Sequence, residues 1–286
     1  MMGKSTVAYY KARKVRVKLE NKEDFILLLA RRERIINPMA GCKKVLYAIR
    51  SKMAIEGVSM GINKFYALMK KNDMMVPKRT KYSCTTTKQD KSLIPSPNLV
   101  KNMTIDAPDQ ALCSDITYIY TKEGFLFLSL IMDMFVREIV GWAISESLKT
   151  EGPLKALEMA SRTLRPEAKP VVHSDRGCQY ASHAYRAALE QLGWRSSMTE
   201  ELHCYENAMA ERLNGILKQE YFLDTHFNTK KEAIKAIEDA IRIYNTRRLH
   251  EKCGFKTPTA FREMLMGKVA WGRRRSSSPG GGRCPH

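Results

Sequence analysis

A chain of 286 residues with 44% hydrophobic content is long enough to bury a sizeable core, and its formal charge of +19 points to a polyanionic partner rather than to an ordinary neutral enzyme surface. Seven scattered cysteines (Cys42, Cys84, Cys113, Cys178, Cys204, Cys253 and Cys284) contain no Cys-x-x-Cys pair, which argues against a zinc ribbon and against a disulfide framework and fits a reducing, cytoplasmic compartment. The longest apolar stretches, Phe25–Ala30 and Phe125–Met134, are too short or too interrupted to span a bilayer, and the first residues lack the plan of a signal peptide.

The charge is segregated along the chain. Residues 1–105 carry 23 basic and 7 acidic side chains, residues 106–266 carry 21 and 23, and residues 267–286 carry 5 and none. Residues 1–36 alternate basic and apolar positions around one apolar block, Phe25–Leu29, which predicts a short helix flanked by charge. Val45, Leu46, Ile49 and Met53, then Ile62, Phe65, Tyr66 and Met69, recur at helical spacing and predict two short helices. Gly57 suits the left-handed turn between them, and Ser59 suits the N-cap of the second. The plan is helix-turn-helix-like over 41–81, inside a basic helical DNA-binding region 1–81. Lys70 and Lys71, with Lys78, Arg79 and Lys81, follow the second helix where phosphate contacts are expected. A basic helical hairpin without that role fits the same pattern. Residues 82–108, with Pro95, Pro97 and Pro108, read as a linker.

From residue 109 the chain changes character. Ala111–Tyr120 and Phe125–Phe135 are rich in β-branched and aromatic residues and flank the hairpin signal Thr121-Lys122-Glu123-Gly124, and Glu138–Ile144 reads as a third strand. A helix over Glu151–Leu164, a buried strand over Pro170–Ser174, a helix over Ser182–Leu192, a strand over Trp194–Met198 and a helix from Asn207 to Phe222 follow. The order β-β-β-α-β-α-β-α predicts an α/β fold over 109–223: a mixed five-stranded sheet with helices on both faces, as in a ribonuclease-H-like core, though other mixed folds begin the same way. Residues 224–266 form a helical extension, with Thr229 and Glu232 as a capping box ahead of Ile234, Ile237, Ile241 and Tyr244. The basic, Gly- and Ser-rich stretch 267–286 is expected to be disordered.

Three acidic residues stand in awkward places. Asp115 interrupts an apolar strand, Asp175 ends a strand behind His173-Ser174, and Glu211 follows Ala208-Met209-Ala210 in a helix. Semi-buried carboxylates are costly unless paired with or bound to a cation. In the third helix Met209, Leu213, Ile216 and Leu217 make a core face, while Glu211, Asn214 and Lys218 share another. Two strand carboxylates and one on a later helix suit phosphoryl transfer assisted by two divalent ions, and oxygen ligands suit magnesium, with manganese as a substitute. Taken singly, each of these acids also fits a structural role at a strand edge or beside an arginine.

The combined motifs decide between these readings. Ser114-Asp115-Ile116-Thr117-Tyr118-Ile119, His173-Ser174-Asp175-Arg176-Gly177-x-Gln179-Tyr180 and Glu206-Asn207-Ala208-x-Ala210-Glu211 resemble the catalytic motifs of the IS three family of bacterial insertion-sequence transposases, relatives of retroviral integrases. Thirty-five residues separate Asp175 from Glu211, as in the family's D,D(35)E spacing. Tyr244-Asn245-Thr246-x-Arg248-x-His250 and Gly254-x-x-Thr257-Pro258 are similar to its C-terminal signature. The resemblance runs from about residue 40 to about residue 263. It implies an integrase-type catalytic core that cuts and joins DNA with magnesium held by Asp115, Asp175 and Glu211. It further implies a second-frame product, which leaves open an upstream-frame product fused to it or associated with it, and the symmetric handling of two DNA ends predicts a homo-multimer on DNA. Lys218, seven residues after Glu211, matches the family's basic residue near the bound DNA end, and Arg176 beside Asp175 is a second candidate for DNA contact.

The pattern departs from the family just before the third motif. Glu200, Glu201 and Leu202 replace the usual basic residue and glycine, and Glu206 replaces an aspartate. Added negative charge there should weaken DNA binding. Two further readings therefore stay open: a DNA-binding copy without catalysis, and a metal nuclease of the same fold acting on RNA–DNA hybrids, which does not account for the C-terminal signature.

Overall fold

Helix-forming residues fill the N-terminal end of the chain without a glycine or proline between Gly3 and Pro38, and the result is a single 31-residue helix, α1 (Thr6–Ile36). The expected short helix is thus only its C-terminal part, because Lys, Arg, Leu and Glu continue a helix as readily as they flank one. The computed structural model describes residues 6–77, 95–200 and 207–276, with side chains described from residue 21 to residue 267 of these ranges. Contacts divide the chain into two compact units, Met1–Cys84 and Thr85–His286.

In the first unit α1 is followed by α2 (Cys42–Ile55) and α3 (Ile62–Lys71). Ile26, Leu29, Val45, Leu46, Ile49, Met53, Phe65 and Met69 form its core. Gly57 has φ +62, the left-handed turn that the sequence asks for. The second helix begins later than expected: Gly61 occupies the N-cap, with no side-chain capping bond, so Ser59 does not cap it.

The second unit is built on β1 (Ala111–Thr121), β2 (Gly124–Asp133), β3 (Ile139–Ser145), β4 (Val171–Ser174) and β5 (Arg195–Met198). Their order in the sheet is β3-β2-β1-β4-β5. The first three strands are antiparallel, and β4 and β5 run parallel to β1, which is the ribonuclease-H-like arrangement. On one face lie α4 (Glu151–Thr163), α5 (Cys178–Ala181) and α6 (His183–Gln191), packed on Leu112, Ile131, Val140 and Val172. Gly141 permits this packing, since a Cβ there would sit 2.1 Å from the Ala156 carbonyl oxygen. The other face carries α7 (Ala208–Glu220) and α8 (Lys230–Thr246) on Cys113, Ile119, Leu128 and Leu130.

Three segments depart from the sequence expectation. Residues 95–108, read as linker, lie against the sheet: Ser96 bonds Ser196 at 3.0 Å, the Leu99 N–H donates to Ser197 Oγ at 2.9 Å, and Val100, Met103 and Ile105 pack on the core. Asn207 stands at the N-cap of α7 but makes no side-chain capping bond. The last helix, α9 (Pro258–Ser276), continues past Gly267, where composition predicted disorder; Lys268, Val269, Ala270 and Trp271 still propagate a helix. Residues 277–286 lie outside the described range. The capping box at Thr229 and Glu232 is present in both its bonds.

α9 is tied to the sheet by charge. Arg262, nearly buried, binds Glu138, Asp109 and Asp133, the last at 2.9 Å, while Arg165 meets Asp109 at 2.8 Å and Thr259 meets Glu138 at 2.8 Å. Removing one partner of such a buried set leaves the others uncompensated. Arg262→Met should therefore destabilise the fold by about 3–5 kcal/mol in urea denaturation; a loss near that of an exposed ion pair, below about 1 kcal/mol, would contradict this account.

Candidate catalytic site

β1 and β4 place the first two candidate acids together. Cys113 stands opposite His173 in the parallel pair, so Asp115 and Asp175, each two residues further on, reach the same level and the same face of the sheet. Neighbouring strands are about 4.8 Å apart, which makes the two carboxylates neighbours. β4 ends at Ser174, and Asp175 opens the turn into α5.

Each acid is held by local donors. The Ile116 N–H donates to Asp115 Oδ1 at 2.9 Å, and the Asn214 amide donates to Asp115 Oδ2 at 2.7 Å. The Gly177 N–H donates to Asp175 Oδ1 at 3.0 Å. A side chain at Gly177 would crowd that oxygen, its Cβ lying 3.0 Å away. Behind Asp115, Ser114 Oγ donates to the buried Tyr180 hydroxyl at 3.0 Å and fixes the strand against α5.

Burial pushes the Asp115 carboxyl up to about 7, and the negative charges of Asp175 and Glu211 add to the rise; the Ile116 N–H and Lys218 oppose it. Burial also raises Asp175, against the Gly177 N–H. Glu211 lies exposed on α7 and makes no hydrogen bond or ion pair among the described residues. The structure thus sets Asp115 and Asp175 side by side, with Glu211 and Lys218 in electrostatic range. Among the described residues no three His, Cys, Asp or Glu side chains are gathered closely enough to hold an ion.

The remaining sequence candidates fall in different places. Arg176 donates Nε to the Thr199 carbonyl at 2.7 Å and so braces the loop after β5. Lys78, Arg79 and Lys81 lie outside the described residues, as do Glu201, Leu202 and Glu206. Glu200 is exposed and pairs with Lys101 at 2.9 Å, which offsets the charge it adds. His173 is buried with Nδ1 2.9 Å from Ser197 Oγ. Of the C-terminal signature, Tyr244 is buried in the core as its helical spacing predicts, whereas the part played by Asn245 was not read from the sequence: it makes two bonds to the Ile139 backbone, at 2.9 and 3.0 Å. Arg137 was also missed. On backbone with φ +64, it reaches Met209 Sδ in the first turn of α7. None of the helices among the described residues is long and apolar enough to cross a membrane.

The integrase core domain family matches residues 106–204, and a second integrase core domain model matches residues 192–258. The uncharacterised 31 kDa protein of insertion element IS600 from Shigella sonnei is 38% identical over 218 residues, 75% of this chain and 79% of that protein. The transposase for insertion sequence element IS904 from Lactococcus lactis is 38% identical over 167 residues, 58% of this chain and 66% of that protein. Transposase InsF for insertion sequence IS3A from Escherichia coli K12 is 34% identical over 155 residues, 54% of this chain and 54% of that protein. Among solved structures, the HTLV-2 integrase catalytic core domain in complex with magnesium (trimeric form) aligns at a TM-score of 0.44 and 19% identity, over 54% of this chain and 97% of that chain.

The raised Asp115 has a consequence for stability. Its folded pKa of about 7 lies above the ordinary 3.8, so the metal-free folded chain binds more protons than the unfolded chain between those values. The associated stability is complete below about pH 4 and is lost as pH rises through about 7. Thermal melts without divalent metal should show this decline from pH 4 to 7, and Asp115→Asn should flatten it; an unchanged slope in the variant would contradict the assignment.

Proposed function

Since this chain belongs to the insertion-sequence transposases that carry an integrase core, and is itself a transposase, we propose that it cuts and joins DNA strands at the ends of a mobile element, with Asp115, Asp175 and Glu211 as its catalytic carboxylates. The observation that carries this reading is the Asp115–Asp175 pair: two half-buried neighbouring carboxylates with no ion pair to either among the described residues, one of them driven up to about 7.

The donor chemistry of these residues suits magnesium, with Glu211 turning in from its exposed position to complete the set. The donors are all carboxylate oxygens, Glu211 is uncommitted among the described residues, and the Oδ1 of Asn214, whose amide holds Asp115, is buried without a hydrogen-bond partner. Asp115, Asp175 and Glu211 would hold two such ions, with manganese as a substitute. When bound, the metal would polarise the scissile phosphate and lower the pKa of an attacking water or 3′ hydroxyl. The chain's own part is orientation. Ile116 and Asn214 each occupy one oxygen of Asp115 and fix its plane, and Gly177 holds one oxygen of Asp175. Lys218, close enough to act electrostatically on Asp115, would meet a DNA phosphate near the cleaved end. The basic N-terminal region supplies the sequence-independent attraction for DNA, which should weaken steeply with salt. Two element ends handled alike call for more than one copy on the DNA.

The test is strand cleavage and joining on DNA carrying the element's terminal repeats, with the full chain and magnesium or manganese. Cleavage should depend on the metal and be abolished in Asp115→Asn, Asp175→Asn and Glu211→Gln, with gel-shift binding retained. Asn214→Ala should cost about 10–100-fold in activity or metal affinity. A gel shift without cleavage in either metal would favour a chain that only occupies the ends, and wild-type turnover in Asp115→Asn would refute the residue assignment.

A further inference from the structure

Glu220 is the last residue of α7, nine positions after Glu211. Nine residues make two and a half helical turns, about 13.5 Å of axis, so Glu220 leaves the helix on the side opposite to Glu211. There it meets Arg248, which is 4% exposed. Arg248 donates Nε to Glu220 Oε2 and Nη2 to Glu220 Oε1, both at 2.7 Å. Its Nη1 lies 2.8 Å from His250 Nε2, and its guanidinium lies 5.7 Å from the centre of the Tyr244 ring.

This anchor does not float. Asn245, three residues before Arg248, is bonded to both backbone groups of Ile139 at the start of β3, and Tyr244 is buried against the same sheet. The arginine is therefore fixed to the sheet whose strand β1 carries Asp115. A two-point bond between a planar guanidinium and a carboxylate defines an angle as well as a distance, which apolar contacts do not. Ala210, Leu213, Ile216 and Leu217 seat α7 on the core and the single Asn214–Asp115 bond ties its front, while the two-point bond at Glu220 adds a fixed angle at its far end.

We propose that Arg248 and Glu220 are positioning residues that set the roll of α7 and so aim Glu211 at Asp115 and Asp175. The proposal rests on the reading of Glu211 as a metal ligand. Neither residue touches substrate. The pair gives a physical task to the arginine of the C-terminal signature, which joins α8 to the back of the helix that carries the third acid.

The experiment uses the full chain and two conservative variants, Glu220→Gln and Arg248→Lys, each of which keeps one bond and loses the charged two-point geometry. Two readouts are taken: the manganese dependence of cleavage on terminal-repeat DNA, and amide hydrogen exchange along α7. In both variants turnover should fall about tenfold or more, and half-saturating manganese should rise. DNA affinity by gel shift should stay within about twofold, since neither residue is placed at the DNA. Exchange in α7 should quicken while β1 to β3 keep their protection. If the wild-type chain does not cleave, the catalytic reading fails, and the exchange readout still decides whether the pair fixes the helix. Unchanged metal demand together with unchanged α7 exchange would overturn the proposal. So would global unfolding of both variants, which would make the pair a general folding element.

Discussion

Two half-buried carboxylates, one on β1 and one just past the end of the parallel strand β4, stand side by side and repel each other there. Everything informative about this molecule follows from how that repulsion is tolerated. Asp115 and Asp175 are fixed by strand register rather than by an attractive partner, and backbone N–H groups and the Asn214 amide satisfy their oxygens without cancelling their charge. A fold that accepted this cost for stability alone would have put an arginine between them, as it did elsewhere in the same unit.

The contrast with that other acidic cluster is instructive. Asp109, Asp133 and Glu138 are at least as buried, yet they converge on Arg262, and Asp109 also has Arg165. Those interactions hold the Asp109 carboxyl below its ordinary range despite burial, while deeper burial still raises Asp133; Asp115, with no arginine bonded to it, rises to about 7. One cluster is neutralised by the protein and holds α9 to the sheet. The other keeps its negative charge facing outward beside a helix that carries Glu211 and Lys218, the arrangement expected of a site that completes itself with cations.

Much of this was legible in the sequence, for a physical reason. Strand alternation and helical periodicity are local, so β1 to β5, α4 and α8 could be read to within a few residues. Polar side chains at apolar positions drew attention to Asp115 and Asp175 before their neighbours were known. What the sequence hid is long-range or neutral to pattern. The Arg248–Glu220 pair spans 28 residues, and the Arg262 pairs span more than a hundred, with no spacing rule to announce them. Ser59 and Asn207 have the right chemistry for caps, but the chain begins α3 two residues later than the first requires and leaves the second's capping bond unmade. The strap at 95–108 looked like linker because prolines mask its apolar alternation. Gly141 gave no sign that it marks a close approach of α4 to the sheet.

The central claim is that the carboxylates of residues 115, 175 and 211 form one divalent-cation site. Anomalous diffraction from crystals of the full chain soaked in manganese addresses it directly. The account predicts anomalous density between Asp115 and Asp175, with the Glu211 carboxylate swung into the same coordination shell. Manganese bound elsewhere, or bound to the two aspartates with Glu211 still directed into solvent at saturating metal, would contradict it.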